Sequence, residues 1–271
     1  MPGASLDALR DRLRGLGRVV VAFSGGADSA FLAWVAHDTL GSEGALAVTA
    51  VSPSLAGDER RDCASLAAEW GLAWTEVETD EMAQAAYRAN DGDRCYWCKD
   101  ALLRAAGPLA AERGATVALG VNLDDLGDHR PGQRAAAERG ASFPLVDAGF
   151  TKNDVRSWSR RLGLRTWDKP AAACLASRLP YGTPVTLARL SGVERAEAGL
   201  RALGFGAVRV RHYGDTARLE VPLDRLADVV VAREAVVARV RAAGFAYVTL
   251  DLEGLRSGNL NAALSLTRPP G

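Results

Sequence analysis

Arg18-Val19-Val20-Val21-Ala22-Phe23-Ser24-Gly25-Gly26-Ala27-Asp28-Ser29-Ala30-Phe31-Leu32-Ala33-Trp34-Val35 decides the fold. Val19 to Phe23 is an apolar, β-branched run of strand length, and the residues from Ala30 read as a helix. The turn between them holds two glycines flanked by two serines. Glycine lets the backbone come close to an oxyanion, and amides at a helix N-terminus add donors and partial positive charge. The hydroxyls of Ser24 and Ser29 extend that donor set. No lysine follows the glycines, so this is not the G-x-x-x-x-G-K-[ST] loop that cradles the phosphates of a kinase or GTPase substrate.

Working outward, strands are predicted at Val19 to Phe23, Ala45 to Ser52, Trp74 to Glu78 and Thr116 to Gly120. Ala-, Arg- and Glu-rich helical patterns such as Asp58 to Trp70 and Ala101 to Arg113 separate them. Alternating β and α units imply an α/β fold with a doubly wound parallel sheet, whose ligand crevice lies at the C-terminal strand ends. This domain is predicted over residues 1–167, followed by a proline-bracketed linker at 168–185 that carries Cys174. Residues 186–271 predict a smaller C-terminal α+β domain. Its elements are a helix from Leu187 to Leu203, strands Ala207 to His212 and Ala217 to Val221, a helix from Leu223 to Ala243, and a strand from Tyr247 to Leu252. Tyr213-Gly214-Asp215 is a hairpin turn, and the tail from Arg268 is expected to be loose.

The chain has 271 residues, 48% of them hydrophobic, with 33 basic against 33 acidic side chains. A sizeable core is expected, and the balanced charge argues against nucleic acid as a partner. No apolar run approaches the ~20 residues of a membrane span. The N-terminus reads without a signal peptide, so four cysteines point to a reducing cytoplasm and to metal or catalytic roles. Cys95 and Cys98 form a C-x-x-C, and Cys174 stands alone in the linker. A redox pair, half a zinc site and a three-thiolate [4Fe–4S] cluster with one open iron all remain open on spacing. Cys63 lies in an Ala- and Leu-rich helical pattern and reads as a buried small residue.

The S-G-G-x-D-S loop resembles the pyrophosphate (PP) loop of the N-type ATP pyrophosphatases, which release AMP and pyrophosphate. Three further segments sharpen the resemblance: Gly120 to Gly132, Trp167-Asp168-Lys169-Pro170 with Ala173 to Arg178, and Val208 to His212. Together they are similar to the LarE-type ATP-dependent sulfur transferases of nickel-pincer nucleotide biosynthesis, from Ser24 to about Asn261. The resemblance implies adenylation of a carboxylate of pyridinium-3,5-biscarboxylic acid mononucleotide, a nicotinate-derived substrate, and then conversion to a thiocarboxylate. It implies ATP and Mg²⁺ as cofactors and a homo-oligomer, a hexamer of trimeric rings. Some members give up the sulfur of one cysteine, at the position matching Cys174. Others hold a [4Fe–4S] cluster on three cysteines, and the presence of Cys95, Cys98 and Cys174 resembles that kind, with sulfide carried on the open iron.

The same resemblance assigns Ser24, Gly25, Gly26, Asp28 and Ser29 to the pyrophosphate loop, with Asp28 at Mg²⁺ or as a helix cap. Asp124 and Asp125 match the acidic segment that binds the nucleotide. Ser177 and Arg178 follow Cys174 closely enough to cluster near its thiol in a turn. Arg209 and Arg211 alternate on a strand, share a face, and have the spacing to grip the substrate phosphate. Trp97 reads equally as a stacking platform or as packing, Glu197 as a helix-surface residue, and His129 as the histidine to watch. A tRNA thiolase would want a basic surface, and an amide-forming pyrophosphatase has no use for three thiols. A non-enzymatic nucleotide module leaves Cys174-Leu175-Ala176-Ser177-Arg178 without a purpose.

Overall fold

The computed structural model describes residues 5–126, 131–170 and 173–256; His129 and the tail from Arg268 lie outside them. The chain divides into two compact units, Met1–Tyr87 with Asp93–Ala172, and Arg88–Gly92 with Ala173–Gly271. The first runs α1 (Leu6–Leu16), β1 (Val19–Ala22), α2 (Ala27–Gly44), β2 (Ala45–Val51), α3 (Gly57–Trp70), β3 (Trp74–Glu78), α4 (Ala85–Ala89) and α5 (Arg94–Glu112). It continues with β4 (Thr116–Leu119), α6 (Pro131–Glu138), α7 (Pro144–Asp147) and α8 (Lys152–Arg161).

The four strands are parallel in the order β3-β2-β1-β4, the doubly wound sheet expected from the alternation. Burial explains why β1 is apolar without alternation. Val19 and Val21 face a core with Leu9, Leu13, Phe31, Leu32 and Val35, while Val20 faces the opposite layer with Ala106 and Ala110. Strand order reverses between β1 and β4, so the loops after these neighbouring strands flank the crevice. Ser24 leaves β1 there, and Gly120 leaves β4. Gly120 is required by this approach: a Cβ on it would stand 2.8 Å from the Ser29 amide nitrogen in α2.

The second unit runs α9 (Leu187–Arg201), β5 (Arg209–Tyr213), β6 (Thr216–Glu220), α10 (Leu226–Val231), α11 (Arg233–Ala242) and β7 (Tyr247–Leu250). β5 and β6 are antiparallel across a hairpin closed by Gly214 and Asp215, and β7 joins β6 in parallel. The helix expected from Leu223 to Ala243 is broken: a 3-10 turn covers Leu223–Arg225, and Ala232 leaves helical geometry between α10 and α11. A second difference is that α5 begins at Arg94, seven residues before its expected start at Ala101, so both C-x-x-C cysteines ride on its first turns.

Two acids are buried in the second unit, each with a guanidinium. Arg211 Nε and Nη2 donate to Glu220 at 2.9 and 3.0 Å, and both side chains are almost wholly covered. Arg218 Nη2 also reaches Glu220, at 3.2 Å, but removing Arg211 takes away the buried, two-point share of the pairing and leaves the carboxylate under-compensated in a poorly solvating interior. Arg211→Ala is therefore expected to cost about 3–5 kcal/mol, read as a fall in urea midpoint. An unchanged midpoint would show that Glu220 is satisfied without it.

Candidate active site

The loop is held open by contacts from beneath. At the end of β1, the Phe23 carbonyl accepts from buried Thr49 Oγ1 at 2.8 Å, and Thr49 Oγ1 in turn accepts from Trp74 Nε1. Gly25 takes a left-handed φ of +69°, and a Cβ there would meet Cys63 Sγ at 3.0 Å. Ser24 and Ser29 hydroxyls meet at 3.0 Å, and Ser29 Oγ also lies 3.1 Å from the Gly26 carbonyl. α2 starts behind Gly26 with no side-chain cap, leaving its first amides for a ligand. A pocket of about 180 Å³ opens here, lined by Phe23, Ser24, Ser29, Thr49, Lys99 and Gly120 among others.

Two lysines from distant sequence complete the loop's surroundings. Lys169 Nζ donates to the Gly25 carbonyl at 3.1 Å and pairs with Glu59 at 2.8 Å and Asp62 at 2.7 Å, side chains on one face of α3. Burial alone would lower the Lys169 pKa, but hydrogen bonds to Asp62 and Glu59 outweigh it and raise the pKa. Lys152, at the head of α8, pairs with Asp28 Oδ2, whose other oxygen accepts from buried Asn122 at 3.1 Å. Asp124 accepts from the Lys152 amide at 2.8 Å, and Asp125 caps its own 3-10 turn (Leu123–Asp125) by accepting from the Asn122 amide. Both acidic residues thus shape the crevice wall. Asn122, Lys152 and Lys169 had been given no role. Lys169 stood inside a quoted motif, whereas nothing in sequence ties Lys152 to Asp28, 124 positions away.

Cys95 is exposed and Cys98 half-buried, one helical turn apart, and none of the four thiols is in a disulfide. Lys99 links this turn to the loop pocket it lines. Burial lowers its pKa, and the Cys98 and Cys95 thiols oppose that. Trp97 Nε1 donates to Asp93 at 3.2 Å, and its ring meets Tyr96 edge-on. Cys63 is fully buried and burial pushes its thiol up to about 11, the inert core residue its helical surroundings predict. Among the described residues no three His, Cys, Asp or Glu side chains converge as metal ligands.

In the second unit Cys174 caps a 3-10 turn, Leu175–Arg178. Ser177 Oγ donates to the Cys174 carbonyl at 2.7 Å, and Arg178 Nη1 to the Ala173 carbonyl at 2.6 Å. Arg178 is anchored by Glu197, which is buried and also accepts from the Val210 amide at 3.0 Å. Glu197 was expected on the helix surface; the burial of its side of α9 against β5 reverses that. Arg211 was expected to grip phosphate with Arg209. Its Nη1 donates to the Ser177 carbonyl at 2.7 Å, so with Glu220 all three of its nitrogens are engaged. Arg209 Nη1 donates to the Arg256 carbonyl at 3.0 Å. Burial lowers the Arg209 pKa, and the Arg178 and Arg211 charges lower it further, against the pull of Glu220 and Glu197.

Residues 4–101 match the NAD synthase family model, a span that contains the loop and both C-x-x-C cysteines. An uncharacterized protein of Synechocystis is 46% identical over 266 residues, 97% of this chain and 98% of its own length. An uncharacterized protein of Methanocaldococcus jannaschii is 26% identical over 241 residues, 89% of this chain and 91% of its own. The pyridinium-3,5-bisthiocarboxylic acid mononucleotide synthase of Lactiplantibacillus plantarum is 39% identical over 254 residues, 93% of this chain and 92% of its own. A lysine-free pyrophosphate loop and identity running through both units together place the chain in that synthase's family, the LarE-type, PP-loop ATP-dependent sulfur transferases.

Proposed function

We propose that this enzyme activates a carboxylate of pyridinium-3,5-biscarboxylic acid mononucleotide with ATP and replaces its oxygen with sulfur, in the making of a nickel-pincer nucleotide. The observation that carries the reading is the loop itself: uncapped α2 amides and paired serines over a pocket at the β1–β4 switch point. A carboxylate is a poor electrophile. Its oxygen attacks the α-phosphorus of ATP, the bond to the β-phosphate breaks, and pyrophosphate leaves with the charge that loop donors stabilise. A sulfur nucleophile then adds to the acyl carbon, and AMP departs with the former carboxylate oxygen.

Asp28 and Asn122, joined at the head of α2, are the groups we assign to Mg²⁺, which when bound neutralises phosphate charge. Arg209 is the cation assigned to the substrate phosphate, supported by its position among Arg178 and Arg211. Arg211 and Glu197 hold the Cys174 turn and act by positioning. We assign Cys95, Cys98 and Cys174 to a [4Fe–4S] cluster. The reading is supported by two thiols one helical turn apart beside Lys99 and by a further free thiol at Cys174. When bound, such a cluster supplies an iron with an open position for a sulfide.

ATP is expected to yield AMP and pyrophosphate, with Mg²⁺ and the carboxylate substrate both required. Ser29→Ala should slow that step at least tenfold, while ADP among the products on chromatography would reject the reading. Arg209→Ala should weaken binding of the mononucleotide by roughly 1.5–3 kcal/mol, the worth of a charge-assisted hydrogen bond, and leave ATP binding unchanged. Calorimetry with each ligand checks this; equal losses would make Arg209 structural. After anaerobic turnover, mass spectrometry should find Cys174 intact with several products per chain. Dehydroalanine at that position with one product per chain would identify Cys174 as the sulfur donor instead.

A further inference from the structure

α5 opens without a side-chain cap, and its first turns carry Cys95, Cys98 and Lys99 at helical neighbour spacing. The head of α6 stands against that turn. A Cβ on Gly132 would meet the Cys95 carbonyl at 3.1 Å and the Lys99 Cβ at 3.5 Å, so alanine there would push the turn away by a few tenths of an ångström. Further along, the two helices are fastened side by side. Tyr96 Oη donates to Glu138 at 2.5 Å, the Arg134 guanidinium lies 4.9 Å over the Tyr96 ring, and Arg139 Nε donates to Asp100 at 2.6 Å. Ala136 is buried with Leu102 and Leu103 beneath them. The C-x-x-C turn therefore stands where α6 puts it.

Gln133, the next residue of α6, ties that helix to the acidic turn after β4. Its Nε2 donates to the Asp125 carbonyl at 2.9 Å. Asn122 closes the same turn: its amide donates to Asp125 Oδ2 at 3.1 Å, and its Oδ1 accepts from the Asp124 amide at 3.0 Å. Asn122 Nδ2 then donates to Asp28 at the head of α2 at 3.1 Å. A continuous line of contacts within the first unit thus runs from the pyrophosphate loop to the two thiols.

Adenylation and sulfur delivery must meet at one acyl carbon, and a misplacement of about 1 Å costs on the order of 100-fold in rate. Resting on the sulfur-transfer reading above, we propose that Gly132 and Gln133 are positioning residues for sulfur transfer. Gly132 sets how closely the C-x-x-C turn sits on α6, and Gln133 ties that setting to the turn that holds Asp28. Neither touches the reacting atoms. When the setting is lost the acyl adenylate still forms, water adds to its acyl carbon in place of sulfur, and AMP leaves with the carboxylate regenerated.

The number of thiocarboxylates made per AMP released tests this, measured anaerobically on the full chain with ATP, Mg²⁺, the mononucleotide and sodium sulfide. Gly132→Ala, and Gln133→Glu, which keeps the shape and removes the donor, should each lower that ratio at least fivefold, with AMP release within twofold of wild type. A merely structural role would lower both products together, so an unchanged ratio overturns the proposal. Iodoacetamide labelling of the iron-free, nucleotide-free chain reads the turn directly by mass spectrometry. Both variants should label half-buried Cys98 at least threefold faster, with Cys174 labelled at the wild-type rate. Cys98 labelling at the wild-type rate overturns the proposal too. A wild-type chain that releases no AMP overturns the sulfur-transfer reading instead, and the labelling, which needs no substrate, still decides whether these residues place the turn.

Discussion

The contact on which the first unit's site depends is the grip of Lys169 on the Gly25 carbonyl. A loop that presents amides to an anion turns its carbonyls the other way, where they need a donor of their own. Lys169 supplies it and joins the turn to α3 through Glu59 and Asp62. Thr49 does the same for the Phe23 carbonyl one step earlier. Gly25 accepts a left-handed φ and sits against Cys63, so the turn is pinned from below while its amide face stays open. Preorganisation of this kind stabilises developing charge without a reorganisation cost at the moment of reaction.

The second unit solves a different problem. It carries the Cys174 turn on carbonyl contacts from two arginines, each oriented by a buried acid. Glu197 matters doubly, since it satisfies Arg178 and also the Val210 amide at the start of β5. A side chain that links a helix, a strand and a turn transmits any displacement among them. Glu197 and Arg211 thereby hold the Cys174 turn in place, Arg211 with every guanidinium nitrogen engaged.

Much of this was legible in the chain itself. The four parallel strands stand where β-branched runs and their neighbours set them, because strands buried on both faces leave a strong composition signal. The loop was readable for a related reason: glycine, serine and aspartate at fixed offsets meet constraints that act within a few residues. The break in the helical pattern after Leu223 was not readable, since Ala and Val continue through Ala232 with no glycine or proline to mark it.

What the sequence by itself determined is the fold class, the loop, the family and the three thiols of interest. Only the tertiary structure decided which charges meet. The pairings of Lys152 with Asp28, and of Lys169 with Glu59 and Asp62, join residues 124, 110 and 107 positions apart in the chain. Local pattern carries the energetics of a turn, a strand or a helix face, because those depend on near neighbours. An ion pair depends on two charges coming within about 4 Å, and no periodicity along the chain records that separation.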